Sequence, residues 1–385
     1  MRRIILALAV IALFATVSLA QNSGHLLINN DNVSANSADI DTVSATGALK
    51  LLKNVVTGGT GLGGGYFAAP RSAVGQNLKC FFVSDAATSD IATFQIPSLA
   101  KTSNFTNSAL NGDFLGVGLA ASPNGKFLYS AWSGSANIAV ASIASNCSLT
   151  LVGTPISQPD NVADITITKD GKILVVSYPN AGGAQAYALN ANTGAMTALG
   201  GELVFDNAVS ACSSEGCFPT ALDVDNSDQN WVFGNATLAG ASTLTAKLGT
   251  SGFTSAALQT YPTSGLANVE TPWFSPAGRA GNGNLYLGAS GFGTGYPAGV
   301  IVTTYNHGTI TFASATVNSA AFYAGNVQTI GNSGTGSPIT QIWSDSSANN
   351  TVQSYTVSGT ALTPASSLKT TSSGSFAFAT NGVGR

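Results

Sequence analysis

The chain has 385 residues, and only 8% of them are Asp, Glu, Lys or Arg, against about 25% in an average soluble protein. Its formal net charge is −3, and so uncharged a composition argues against nucleic acid, whose phosphates demand a basic face, while the net charge does not imply a polyanionic partner. Gly, Ser, Thr, Asn and Ala are abundant instead, which suits short strands joined by tight turns.

Arg2 and Arg3 precede an apolar run from Ile4 to Val17, and Ser18 and Ala20 supply the small residues a signal peptidase needs. This pattern predicts a leader over residues 1–20, cleavage before Gln21, and a mature chain that is secreted or periplasmic. The run is shorter than the ~20 residues that span a bilayer, and no later run approaches that length. Residues 21–385 are expected to form one domain.

From Gly24 onward one phrase recurs seven times: a short hydrophobic strand, a tight polar turn, then two or three further strands. Its copies start near Gly24, Gly75, Ser122, Thr168, Asn230, Gly283 and Ile339. A repeat of about 50 residues suits the blades of a β-propeller. Between the first two copies, Gly59, Gly61 and Gly64 spell a formal G-x-G-x-x-G. Tyr66, Phe67 and Pro70 follow it with no helical period, so it reads as a loop between blades and not as a dinucleotide site.

The clearest copies are SPNGKFLYSAWSGSANIAVASI from Ser122 and TKDGKILVVSYPNAGGAQAYAL from Thr168. Lys126 to Trp132 and Lys172 to Tyr178 alternate with period two behind Asn-Gly and Asp-Gly, whose glycine supplies the positive φ of a type I′ hairpin turn. Second strands follow at Ile138 to Ile143 and Gln185 to Leu189, then a turn such as Asn192-Thr193-Gly194 and a third strand. A strand ahead of the Asn-Gly turn completes a four-stranded antiparallel blade.

The first copy lacks such a leading strand, and the end of the chain supplies it. Ser375 to Ala379, followed by Asn381-Gly382, repeats the pattern of Val117 to Ala121 before Asn124-Gly125. The predicted fold is therefore all-β, a seven-bladed propeller closed into a circle by a C-terminal inner strand, with no open edge left at either end.

These residues resemble the lactonase-type seven-bladed propellers, the group that includes 6-phosphogluconolactonases, fungal muconate-lactonizing enzymes and YVTN-type surface propellers. The likeness is sharpest in the two quoted copies and is closest to secreted, uncharacterised bacterial members. It implies a substrate face where loops enter the inner strands, marked in the family's enzymes by Pro-Arg-His and Phe-His-Pro phrases. Here the first reads Pro70-Arg71-Ser72, and a comparable entry reads Glu270-Thr271-Pro272-Trp273-Phe274-Ser275-Pro276. The arginine is kept and the histidines are not. The chain's two histidines, His25 and His307, lie elsewhere, at a strand start and in a turn.

Loops gathered at that mouth hold Asp31, Asp85, Tyr178, Tyr296, Trp343 and Asp345 between second and third strands. Arg71, Asp113, Asp160, Glu215, Glu270 and Tyr323 lie in those entering inner strands. The expected ligand-binding rim is Asp31, Arg71, Asp85, Asp160, Glu270, Tyr296 and Trp343. If catalysis occurs, Arg71, Asp160 and Glu270 are its candidates, with Arg71 holding a carboxylate and Glu270 or Asp160 as base. The competing reading is that these Asp residues only build turns. No metal or cofactor is expected, since no calcium-type loop or zinc-spaced pair occurs.

Four cysteines in an exported chain favour disulfides, and three pairings are possible. Proximity favours Cys212 with Cys217, which leaves Cys80 and Cys147 for an inter-blade bridge; free buried thiols are the alternative. Function is expected to be a monomeric binding or interaction module for a small molecule, glycan or protein. The alternatives are a lactonase or lactonizing cyclase acting on a non-phosphorylated lactone, and a structural surface protein.

Overall fold

The computed structural model describes residues 24–43, 48–62, 72–75, 79–96, 98–113, 116–236, 240–263, 266, 268–290, 298–318, 324–330, 340–345, 351–369 and 377–380. The predicted leader, Arg71, Tyr296 and Tyr323 lie outside them.

The strands of the described residues fall into six antiparallel sheets that make seven blades, because the eight-stranded sheet joins two blades through Asn235↔Val269 and Ala236↔Asn268. Blade 1 contains β1 (Gly24–Asn29), β2 (Ser37–Val43) and β3 (Leu49–Val56). Blade 2 holds β4 (Ser72–Gly75), β5 (Cys80–Asp85), β6 (Asp90–Gln95) and β7 (Ala100–Thr106). Blade 3 runs β8 (Val117–Ala121), β9 (Phe127–Trp132) and β10 (Asn137–Ile143), with an outer edge shared by β11 (Leu149–Leu151) and β12 (Ile156–Ser157). Blade 4 repeats this with β13 (Asp164–Ile167), β14 (Ile173–Tyr178), β15 (Gly183–Leu189), β16 (Met196–Ala198) and β17 (Leu203–Val204).

Two short helices, α1 (Phe205–Ala208) and α2 (Cys212–Glu215), lead into blade 5, made of β18 (Pro219–Val224), β19 (Asn230–Ala236), β20 (Ser242–Gly249) and β21 (Gly252–Thr260). Blade 6 contains β22 (Asn268–Phe274), α3 (Pro276–Arg279), β23 (Asn282–Ser290), β24 (Ala298–Asn306) and β25 (Thr309–Asn318). Blade 7 is β26 (Ala324–Ile330), β27 (Thr340–Asp345), β28 (Thr351–Ser358) and β29 (Ala361–Lys369). The final strand, β30 (Ala377–Thr380), pairs with β1 through Leu27↔Ala379 and Ile28↔Phe378, so it is the innermost strand of blade 1. The predicted closure is present, although Ser375 and Phe376 lie outside the described residues.

Period-two alternation gives each strand two buried faces, because a blade is covered on both sides by its neighbours. In β14, Leu174, Val176 and Tyr178 pack with blade 3 while Val175 packs with blade 5. The core is thus a series of layers between blades, and burying each Val- or Leu-sized side chain stabilises it by roughly 1.5–3 kcal/mol. Blade 1 contributes Leu27, Ala38 and Ile40 to the layer shared with blade 2. The intervening Asp39 and Asp41 point the other way, toward blade 7, whose Ser366 hydroxyl accepts the Leu49 amide at 3.3 Å.

The repeated hairpin differs from its expected type. Gly125 and Gly171 have φ of 70° and 74°, but Asn124 and Asp170 are not left-handed, so the turns are not type I′. Side chains close them instead. The Asn124 carboxamide oxygen accepts the Lys126 amide and the Ser122 hydroxyl accepts that of Phe127; Asp170 and Thr168 do the same for Lys172 and Ile173. Serine or threonine two residues before Asn or Asp thus replaces the second positive φ.

Both disulfides form. Cys80 of β5 is bonded to Cys147 behind β10, tying blade 2 to blade 3 with 5.5 Å between their Cα atoms, and Cys212–Cys217 clasps α2 at 5.0 Å.

Candidate functional site

The connections into the inner strands and the loops between second and third strands share one end of the ring. At that end the inner strands of blades 5, 6 and 7 each carry a β-bulge, between Pro219 and Leu222, Val269 and Thr271, and Ala324 and Val327. A bulge turns a side chain out of strict alternation, as sites often require. Glu270 occupies the blade 6 bulge and is buried, with its carbonyl accepting the Thr220 hydroxyl at 2.9 Å.

Asp31 and Asp85, expected at the rim, lie fully buried beneath it. The Asp31 carboxylate accepts the Leu62 amide at 3.1 Å, while Asp85 accepts the Asn36 amide group and the Thr57 hydroxyl, each at 2.7 Å. Asn36 also donates to Asn29, which donates to the Ser84 carbonyl, so one network joins blades 1 and 2. The described part of the glycine-rich segment, residues 58–62, folds directly over it. A Cβ at Gly61 would collide with the Asp31 backbone, and one at Gly59 would lie 2.6 Å from the Asp85 Cβ. Gly59 and Gly61 permit this close approach, while Gly64 lies outside the described residues. Burial outweighs the two donors and raises the Asp85 pKa.

Asp160 is different. It lies on the connection between β12 and β13, and beside it stands Glu202, an acid the motif reading passed over. Glu202 precedes β17, which pairs with the start of β15 through Gly183↔Val204 and so returns the chain to the loop end of blade 4. One carboxylate oxygen of each residue, Asp160 Oδ2 and Glu202 Oε1, is shielded from solvent and lacks a hydrogen-bond partner. Burial, and then the neighbouring Asp160 charge, push the Glu202 carboxyl above its ordinary range. Behind the pair, Tyr178 is fully buried and donates to Gln158 at 2.7 Å, and Tyr187 donates to the same oxygen at 2.8 Å. Tyr178 is therefore a wall of the site and not a rim contact.

Asn161, next to Asp160 on the same connection, donates at 2.9 Å to the carboxylate of Asp113 on the connection between β7 and β8. Arg71 and Tyr296 fall outside the described residues, as do the side chains of Trp343, Asp345 and Glu215. His307, exposed and bonded to Asn306, packs beside Gly281 at the opposite end of the ring. Asp206 gathers with Cys212 and Cys217 within 4.8 Å, but the sulfurs are bonded to each other and Asp206 accepts the Cys217 amide, so the group is not a metal centre. The only sequence signal for Glu202 was its position behind Gly200-Gly201 in a chain with three glutamates.

Residues 68–213 match the family described as lactonase, 7-bladed beta-propeller. No curated protein matches the chain. Among solved structures it is similar to a candidate 6-phosphogluconolactonase from Bacteroides uniformis, with 12% identity and a TM-score of 0.69 over 93% of this chain and 100% of that one. It is also similar to the periplasmic gluconolactonase PpgL of Pseudomonas aeruginosa, at 13% identity and a TM-score of 0.66 over 93% and 99%. A Lactobacillus plantarum protein gives 13%, 0.68, and 92% and 99%. The resemblance to lactonase-type seven-bladed propellers read from the repeats is borne out, and at these identities the structures speak for the fold alone.

Proposed function

We propose that the chain acts on an uncharged, hydroxyl-rich lactone, opening its ring with a pair of carboxyl groups at the loop end of blade 4. The reading rests on one observation: Asp160 and Glu202 each hold an unpartnered, shielded carboxylate oxygen beside the other. Ligand hydroxyls would supply the missing donors. Asp160, as carboxylate, takes a proton from the water that attacks the lactone carbonyl. Glu202, whose hold on its proton is strengthened by burial and then by the Asp160 charge, gives that proton to the ring oxygen as the acyl–oxygen bond breaks. The product is the open hydroxy acid. A raised carboxyl beside a second carboxyl group divides the acid and base roles in this way. Family likeness supports a lactone as the substrate class, and an acid-rich rim favours one without phosphate.

Export is part of the proposal. Two disulfides suit an oxidising compartment, one structural neighbour is described as periplasmic, and no helix among the described residues is long and apolar enough to cross a membrane.

The test is hydrolysis of a panel of γ- and δ-lactones. Glu202→Gln and Asp160→Asn are each expected to lower kcat by about a hundredfold or more, the usual range for a lost general acid or base, with KM little changed. A second reading, a binding module without turnover, is favoured by the position of His307 away from the loop end. Lactone or sugar binding by calorimetry with no ring opening by the wild-type protein would establish it instead.

A further inference from the structure

The large apolar side chains most exposed among the described residues cluster on one blade. Val33 is 56% exposed, Leu51 38%, Leu52 59% and Val56 62%; three belong to β3, the outer strand of blade 1, and Val33 lies in the loop that packs against its end. The β2–β3 register shifts between Ile40 and Asp41, which leaves Leu52 as the extra residue of a bulge, turned outward.

Charge separates on the same blades. Lys50, Lys53, Lys79 and Lys101 are all exposed. Every acid between Gly24 and Gly112 is buried: Asp31, Asp39, Asp41, Asp85 and Asp90 are 0 to 6% exposed. A chain with an overall negative charge therefore presents a rim at blades 1 and 2 whose exposed charges are positive, with four aliphatic side chains among them.

Three occupants compete for such a rim. An added strand is opposed by the bulge and the edge lysines, the devices that guard an edge against pairing. A second copy docking through the same patch would set lysine against lysine. A surface that takes both the lysines and the aliphatic tips has neither difficulty. We propose that the outer rim of blade 1 docks on an anionic lipid surface, with Leu51, Leu52 and Val56 entering the headgroup layer and Lys50, Lys53 and Lys101 facing its charges.

The test is co-sedimentation of the full chain with vesicles of phosphatidylcholine, or of equal parts phosphatidylglycerol and phosphatidylcholine. Wild-type protein is expected to partition onto the anionic vesicles and to be released as salt rises. Lys50→Glu with Lys53→Glu is expected to weaken partition by about thirtyfold, since each basic residue near such a surface contributes about one kcal/mol. Leu51→Ser with Leu52→Ser weakens it as well. Every variant retains the Ile4–Val17 segment, so that segment cannot produce the difference. Lys126→Glu with Lys169→Glu, exposed on blades 3 and 4, should leave partition unchanged. These positions are solvent-facing, and unchanged melting temperatures will show the variants folded; Lys101→Glu repeats the test on β7. Equal partition of wild type and the blade 1 variants overturns the proposal. So does binding to phosphatidylcholine alone, or retention on polyglutamate without retention on anionic vesicles.

Discussion

Asp41 sits in the interior of β2 with neither carboxylate oxygen hydrogen-bonded and no exposure to solvent. Burial, and then the charge of Asp39, raise its pKa from the ordinary 3.8 to about 7. Between those values the folded chain holds a proton that the unfolded chain has released. Stability therefore falls as pH rises from about 4 to about 7 and levels off above, by roughly 4 kcal/mol at most. Asp41→Asn is expected to raise the urea midpoint at pH 8, change it little at pH 4, and flatten the profile between. An unchanged profile would show that Asp41 is not the titrating group. Such a residue is invisible to pattern reading, because in sequence Asp39 and Asp41 look like the polar half of an ordinary alternating strand. Glu202 escaped for a similar reason: its partner Asp160 lies 42 positions away, and only the return of β17 along β15 brings them together.

Elements were far more legible than sites. Alternation behind Asn124-Gly125 and Asp170-Gly171 located β9 and β14 because a blade buries both faces of its strands, so the pattern persists wherever the repeat does. The turn type was misread because two side chains, Ser122 and Asn124 or Thr168 and Asp170, supply bonds that backbone conformation was expected to supply. The inter-blade disulfide was reached by elimination and now carries a quantitative expectation. Cys80 and Cys147 are 67 positions apart, whereas Cys212 and Cys217 are 5 apart. In the chain-entropy account, replacing the first pair by serine costs about 4 kcal/mol of stability and replacing the second about 2. Denaturation midpoints of the two double variants check the order, and a larger loss from the short loop would contradict it.

At the scale of the whole molecule, the ring is held by layers between blades and by polar links that cross them. Arg279 of α3 donates to Asp223 of β18 and to the Val224 carbonyl, joining blade 6 to blade 5, and the Asp164 carboxylate accepts the Leu222 amide, joining blade 4 to blade 5. Blade 1 depends in addition on β30. Deleting residues 375–385 removes that strand and bares the inner edge of β1, so the truncated chain is expected to melt earlier and to associate as concentration rises. Calorimetry and light scattering measure the two effects, and a monomeric protein with an unshifted melting temperature would show that closure contributes little.

The pairing of β30 with β1 also imposes an order in time. Blade 1 combines β1 with β30, separated by about 350 residues of chain that must emerge between them. Blades 2 to 7 can assemble as synthesis proceeds, but the circle stays open until its final strand is released. A ring built this way stays a row of blades with an unpaired inner edge on β1 until β30 has been made and docked.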